Sequence, residues 1–463
     1  MAGKRPDDVS IEDLVEGLDD QTIRRLLANA AQSHEDVLRA VRLAGADGPD
    51  RLAALKAAVD DGLRARRHLD YWGSSSWAGD AAPVLDALAG EVAAEPSAEL
   101  VELLQRAEGH LVKVIMRADD SNGMIGDLAR RVLELHREAC AAGVADPQRL
   151  AKWMVRFSFE DQDFFEIDPV AYVDALGEKG LAVYRREVAK RSDPADVPAD
   201  RSPTMREVYG GFPSFAAKYA AERLAIIDRD VDRLVALLGR DLSSPYQFAR
   251  VAEAMVELGL TDDALAWARR GIAETTGWQV AKLYDLAADL LGDEHDLDGV
   301  VDLRRHHLER LPSASTYAGL QAAARTNGTW DVEIGPARTL LAERDPVGFV
   351  DALLADEATD EAWAAATSGD SELSSAQWLR LAEAREPTEP ADAMAVYLRL
   401  ADEVLGRANK RAYRDAIRLL KAARRAATAA DRLDRFGDYL TGLRERNRRR
   451  PSFMAMLDKA GLR

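Results

Sequence analysis

The side chains suited to chemistry in this 463-residue chain are few, and their spacing decides what they can do. His306 and His307 are adjacent, with Asp302 one helical turn before His306, which invites a metal site. A catalytic zinc normally takes three protein ligands, and no third is near. His307 also falls seven residues after Val300 and beside Leu303, Leu308 and Leu311, so it is expected at the edge of a core. Cys140 lies in HREACAAG with no evident His and Asn pairing, so a nucleophile is not expected. Glu160 and Asp163, within FSFEDQDFFEID (157–168), have the types of an acid/base pair. The bland reading is a helix end packing Phe157, Phe159, Phe164 and Phe165 inward, and it is favoured. Asp119-Asp120-Ser121-Asn122-Gly123 has calcium-loop composition, but the sixth and twelfth positions are Met124 and Arg130 instead of Gly and Glu. A turn between helices is expected there. YWGSSSWAG (71–79) reads as a loop, with two tryptophans that either anchor a partner or pin it to the core. No phosphate-cradling G-x-x-x-x-G-K-[ST], no G-x-G-x-x-G and no G-x-S-x-G occurs. The expectation is no enzyme, no cofactor and no metal.

Charge is the other resource. The net charge is −18, yet Arg407 to Arg463 holds 17 basic and 6 acidic residues, net +11. The remaining residues therefore carry −29. Screening over about 8 Å lets a basic end act locally despite an acidic bulk. Arg444, Arg446, Arg448, Arg449 and Arg450, with Arg424 and Arg425 on the helix before them, are the candidate contacts to nucleic acid or an acidic partner. Arg407, Lys410, Arg411, Arg414, Arg418 and Lys421 extend that helix's basic content. The competing reading is a solvated face with cations near a helix C-terminus. No aromatic interleaves with the run, which argues against single-strand base stacking.

These groups must be positioned by helices. Ala and Leu dominate, and aromatics are only 6%, which favours helix over sheet. One cysteine excludes an internal disulfide and points to a reducing compartment, so a cytoplasmic location is expected. MAGKRPDDVSIEDL has no apolar stretch behind its basic residues, so no secretory signal is expected, and no run of about 18 apolar residues exists to span a membrane.

Ser10 with Asp13 reads as a helix start. Apolar stripes at i, i+3, i+4, i+7 predict helices over Ile23–Ala31, Leu52–Leu63, Leu100–Ile115 and Leu128–Ala139. No period-2 alternation stands out. RSDPADVPADRSPT (191–204) is expected to connect two helical regions, and REPTEP (385–390) is a second break. Between them helical pairs recur. YQFARVAEAMVELG is followed by TDDALAWARRGIAE, KLYDLAADLLG by LDGVVDLRRHHLERLP, and TYAGLQAAARTNG by WDVEIGPARTLLAERDP. Gly292 and Gly328 are expected to close equivalent first helices, and Pro312 and Pro346 to follow equivalent second helices, a period near 34 residues. That period is tetratricopeptide-like. The expected fold is all-α, an α-α superhelix. It has an N-terminal helical domain (1–190), a linker (191–204), tetratricopeptide-like repeats (205–384) and a basic C-terminal helical region (391–463).

Four stretches, DDSNGMIGDL (119–128), DLSSPYQFARVAEAMVELGLTDDALAWARRGIA (241–273), AYRDAIRLLKAARRAA (412–427) and FGDYLTGLRERNRRRPSFMAMLDKAGL (436–462), resemble the helical region of bacterial SWIM zinc-finger family proteins. The finger itself needs C-x-C followed by C-x-H, which one cysteine cannot provide. The resemblance implies nucleic-acid or protein interaction and carries over no site residue. The expected function is a non-enzymatic scaffold or adaptor for a protein partner. The alternative is a nucleic-acid-associated protein using the basic C-terminal helices.

Overall fold

The computed structural model describes residues 15–462 apart from 35–36, 39–40, 43–44, 46–48, 66, 163, 193–213, 241 and 369–371. The expected start at Ser10 and Asp13, and most of the 191–204 connection, lie outside them. The described residues are all-α. The one β feature among them is an isolated bridge between Leu69 and Ala118. No helix among them is long and apolar enough to cross a membrane.

Two compact units divide at Arg240/Asp241. The first holds α1 (Asp20–Ser33), α2 (Pro49–Gly62), α3 (Tyr71–Ala94), α4 (Ala98–Ile115), α5 (Met124–Ala141), α6 (Pro147–Arg156), α7 (Val173–Arg191), α8 (Phe215–Asp228) and α9 (Val231–Leu238). Helix starts follow local capping chemistry. Asp70 and Ser97 accept from Gly73 and Leu100 amides, and Asp146 precedes Pro147 in the first turn of α6. The predicted stripes are the core: Leu55, Val59, Leu63, Leu104, Leu111, Ile125 and Val132 are fully buried. Each such leucine contributes on the order of 1.5–3 kcal/mol. The stripe of α1 differs, because none of its side chains is buried and Leu26 and Leu27 are exposed. Residues 71–79 are the first turns of α3, not a loop. Asp70 starts the helix, and the small Ser74 and Ala78 are buried where bulkier side chains would hold neighbours apart. Residues 215–238 belong to this unit and not to the repeats. Ala220 and Leu224 join its core, and Arg223 forks onto Asp168 at 2.8 and 2.7 Å.

The second unit is a stack of hairpins: α10 (Pro245–Glu257) with α11 (Thr261–Glu274), α12 (Ala281–Asp293) with α13 (Leu297–Arg310), α14 (Ala314–Asn327) with α15 (Trp330–Arg344), α16 (Pro346–Ala355) with α17 (Thr359–Thr367), α18 (Ser375–Arg385) with α19 (Pro390–Leu405), and α20 (Lys410–Ala429) with α21 (Leu433–Arg446). The short α22 (Pro451–Lys459) packs on α20. Each helix packs on the next, and α10 also meets α12, as α14 meets α16 and α16 meets α18. No hairpin can bury its apolar face alone, so stacking is what makes a core. The break expected at 385–390 is the tight turn inside the hairpin α18–α19, so the repetition runs through it.

Most first helices end in one left-handed cap. Leu260 N–H reaches Met255 O, Asp296 reaches Leu291, Thr329 reaches Ala324, Ala358 reaches Leu353 and Arg432 reaches Ala427, all within 2.8–2.9 Å. The residue with positive φ is Gly259 or Gly328 in two of them but His295, Glu357 and Asp431 in the others. Gly292 therefore does not close its helix, as its spacing suggested. It lies inside α12, and His295 takes the turn.

Gly271 allows α11 to approach both α10 and α12 closely. A Cβ there would stand 2.6 Å from Phe248 Cβ and 2.7 Å from Leu283 Cδ1. Ion pairs tie successive hairpins. Arg305 forks onto Glu333 at 3.0 and 2.7 Å, and Arg338 meets Asp356 at 2.9 Å, a carboxylate that also accepts from Tyr317 and Gln321.

Candidate functional sites

A buried group of chemical side chains lies in the first unit, where α4, α5 and the turn before α7 meet. His136 and Cys140 are one turn apart on α5, both completely buried, with Sγ 3.7 Å from Nε2. Gln105 on α4 donates from Nε2 to His136 Nε2 at 3.1 Å. Nδ1 then carries the ring proton toward Tyr172 Oη at 2.9 Å, and Tyr172 donates to the Leu133 carbonyl at 3.4 Å. Trp153 of α6 packs over the imidazole, ring centres 4.4 Å apart. Glu108 adds a carboxyl buried to 1% exposure with neither oxygen hydrogen-bonded.

The local sequence makes this pairing. HREAC spaces His136 and Cys140 at i, i+4, so the histidine that sequence reading did not find for Cys140 is in the same segment. The tuning runs against a nucleophile. Burial pushes the Cys140 thiol up to about 12 and His136 down to about 3. A reactive pair needs thiolate beside imidazolium, and here the order is reversed. Burial likewise lifts Glu108 well above the usual carboxyl range. At neutral pH Cys140 is a thiol and His136 a neutral imidazole, and burial disfavours the charged form of all three groups.

A cleft of about 320 Å³ between α4 and α6 reaches the outer side of this cluster, lined among others by Gln105, Trp153, Glu102, Arg149, Lys152 and Arg156. Its charges are of mixed sign, and Arg149 already meets Glu102 at 3.3 Å.

The other sequence candidates fall into place. His307 is buried with its ring 4.0 Å from that of Tyr284 and nearly parallel, while Tyr284 Oη contacts His306 Nδ1 at 2.9 Å. Burial and Arg304 hold His307 down at about 4. No group of three metal-ligating side chains occurs among the described residues. In the 119–123 segment Asp119 accepts from Ser121, and Asp120 from the Ile125 and Gly126 amides at 2.9 and 2.8 Å. These carboxylates start α5, as the turn reading expected. Around 157–168, Phe157, Phe159 and Phe165 pack on the core while Phe164 is exposed, a correction to the inward packing of all four. Gln162 binds the Phe165 amide and carbonyl, which turns Phe164 outward. Asp163 and the Glu160 side chain lie outside the described residues. Trp77 packs on the core, and Trp72 is 78% exposed.

The basic C-terminus separates into two groups. In the terminal run, Arg444 donates to Leu462 O at 2.9 Å and to Asp458 at 2.8 Å. Arg450 donates to Leu405 O at 2.9 Å, satisfying the carbonyl end of α19. Arg446 lies 3.5 Å from Asp402, and Arg448 meets Glu445 at 2.6 Å. Arg449 is exposed. Arg424 donates to Gly461 O at 3.1 Å, and Arg425 forks onto Glu386 at 2.7 Å. Much of the run thus ties the last helices together, while α20 keeps a cationic outer face.

Sequence reading missed a further feature. Trp278 is 81% exposed in a short 3₁₀ turn before α12, and that turn packs on α10, whose second residue Tyr246 is 56% exposed. Both aromatics stand at the starts of first helices in adjacent hairpins.

Residues 13–316 match a family described as a family of unknown function (DUF6880). The chain belongs to this family. The match spans the first unit and the first two hairpins. No curated protein sequence matches the chain. Among solved structures, the chain is similar to a circular tandem repeat protein with novel repeat topology and enhanced subunit contact surfaces. That likeness has 15% identity and a TM-score of 0.20, and covers 94% of this chain and 97% of the other.

Proposed function

We propose that this chain is a non-enzymatic helical-repeat scaffold or adaptor that binds a protein partner through the second unit. The observation that carries the reading is the exposed pair Trp278 and Tyr246 at one end of adjacent stacked hairpins. Tryptophan and tyrosine are the residues that most often anchor protein interfaces, because they bury large area at little conformational cost. A repeat stack presents such anchors on a rigid support. The quenched state of His136, Cys140 and His307 supports a role without covalent chemistry of its own.

We further propose that the chain is related to the helical part of SWIM zinc-finger proteins without the finger. A separate protein then supplies the nucleic-acid-contacting or enzymatic function, and this chain holds it.

The test is affinity capture from the native host with the full chain and with its Tyr246→Ala/Trp278→Ala variant, followed by measurement of the recovered partner's affinity for both. The double substitution is expected to weaken binding about 30-fold or more, the scale of losing an aromatic anchor. A wild-type chain that retains no partner, or a partner bound equally by both forms, overturns the reading.

A further inference from the structure

Helix α20 carries Arg411, Arg414, Arg418, Lys421 and Arg425 at spacings of three and four residues, and all five are exposed. At about 100° per residue they fall within an arc of about 80°, in a line about 21 Å long. The arc lies opposite the buried face formed by Ala412, Ala416, Leu419, Leu420, Ala423 and Ala427. Lys410, Arg411, Arg414 and Lys421 have no ion-pair partner among the described residues. Arg418 reaches only the flanking Asp415, at 3.4 Å, and Arg425, at the end of the line, is held by Glu386.

A solvated face does not account for this arrangement. Charged helix faces usually mix signs, whereas here each neighbour along the line is another cation, and like charges at i, i+3 or i+4 weaken a helix. The first turn of α20 holds Lys410 and Arg411 and no acid, so cations sit at the end where the helix dipole disfavours them. The line therefore opposes the stability of its own helix, which a partner of negative charge would reverse.

We propose that the outer face of α20 docks on the phosphate backbone of a duplex nucleic acid. This goes beyond the protein-binding reading and does not rest on it. The cores of protein interfaces are aromatic-rich and depleted of charge, and no large apolar side chain of α20 is exposed. Arginine, four of the five, matches the forked geometry of phosphate. Without interleaved aromatics the face cannot stack unpaired bases, so contact is with the backbone of a duplex and independent of sequence. Because the chain is net −18, a salt-sensitive affinity for polyanions must come from a local face.

The experiment is fluorescence anisotropy of the full chain with a labelled 20-base-pair DNA duplex and the matching RNA duplex, from 50 to 200 mM salt. Four phosphate contacts, from Arg411, Arg414, Arg418 and Lys421, predict a loss of affinity of roughly 150-fold across that range. Arg414→Gln/Arg418→Gln/Lys421→Gln is expected to weaken binding at least tenfold and to flatten the salt slope by about three. Arg448→Gln/Arg449→Gln is expected to bind as wild type. Should the triple variant lose its helical circular dichroism, the single variants Arg414→Gln and Arg418→Gln decide by a slope change of about one each. A preference for one duplex names the natural ligand. The proposal is overturned if neither duplex binds at 50 mM salt. It is also overturned if the folded variants bind unchanged, or if polyglutamate displaces the duplex at equal charge concentration, which would make the partner an acidic protein.

Discussion

Glu108 is the most exacting place to test the physical reading of the first unit. Its carboxyl is buried to 1% exposure with no hydrogen-bond partner for either oxygen. Leaving a buried polar group unsatisfied costs about 1–3 kcal/mol. Glu108→Met keeps the length of the side chain and removes both oxygens, so it should stabilise the unit by a similar amount. For a unit of this size that is about 2–12 °C in Tm. The pH dependence gives the sharper signature. Burial raises the folded-state pKa of Glu108 above the ordinary 4.5, so the folded state holds a proton that the unfolded state has released. Wild-type stability must therefore fall as pH rises from 4.5 toward the raised value, at about 1.4 kcal/mol per pH unit from this group. The variant lacks that slope, so its advantage should widen as pH rises above 4.5. Glu108→Gln retains the shape, removes the titration and should share the flatter profile. Urea and thermal unfolding of the three proteins across that range measure it. A variant less stable than wild type, or a gap that stays constant with pH, would refute the account of Glu108 as an unpaired buried acid.

Three further outcomes follow from other contacts. Gly271→Ala places a methyl 2.6 Å from Phe248 Cβ and should destabilise the second unit by about 1–3 kcal/mol in thermal melts, with a neutral result contradicting the close approach of α11 to α10 and α12. Arg450→Ala removes the donor to Leu405 O and should cost about 1–2 kcal/mol, whereas Arg449→Ala should stay within about 0.5 kcal/mol, so equal effects would remove the distinction between tying and free arginines. Cys140, buried and with its thiol pushed up to about 12, should react with maleimide in the native chain only as fast as the first unit opens and at once in denaturant, so rapid native labelling would contradict its burial.

The helices were legible where apolar period and capping chemistry coincide. Pro245 begins α10, and the Leu100–Ile115 stripe is the buried face of α4. Stacked hairpins follow from that pattern, since a one-sided helix pair must find a neighbour. Two features were not legible. His295, Glu357 and Asp431 hold a left-handed turn that local residue type assigns to glycine, and tertiary packing overrides that preference. Glycine and serine in 71–79 read as loop because their intrinsic helix propensity is low, yet burial of Ser74 and Ala78 favours small side chains. The polar cluster was half legible. His136 and Cys140 share a face by spacing alone, but Glu108, Gln105 and Tyr172 arrive from elsewhere in the sequence, and no local pattern marks them. The Arg444–Arg450 run shows the reverse error, since composition makes it the obvious contact surface while Arg444 and Arg450 are spent on carbonyls of neighbouring segments.

Recognition of a protein partner by rigid stacked hairpins through Tyr246 and Trp278 is the proposal on which the functional reading rests. Hydrogen–deuterium exchange of the full chain, alone and with its captured partner, tests it most directly. Exchange is expected to slow on binding at 244–250 and 275–281, with the buried faces of α10, α12 and α14 already protected in the free chain. Protection appearing only in the first unit, or α10–α14 gaining order only when the partner is added, would contradict it.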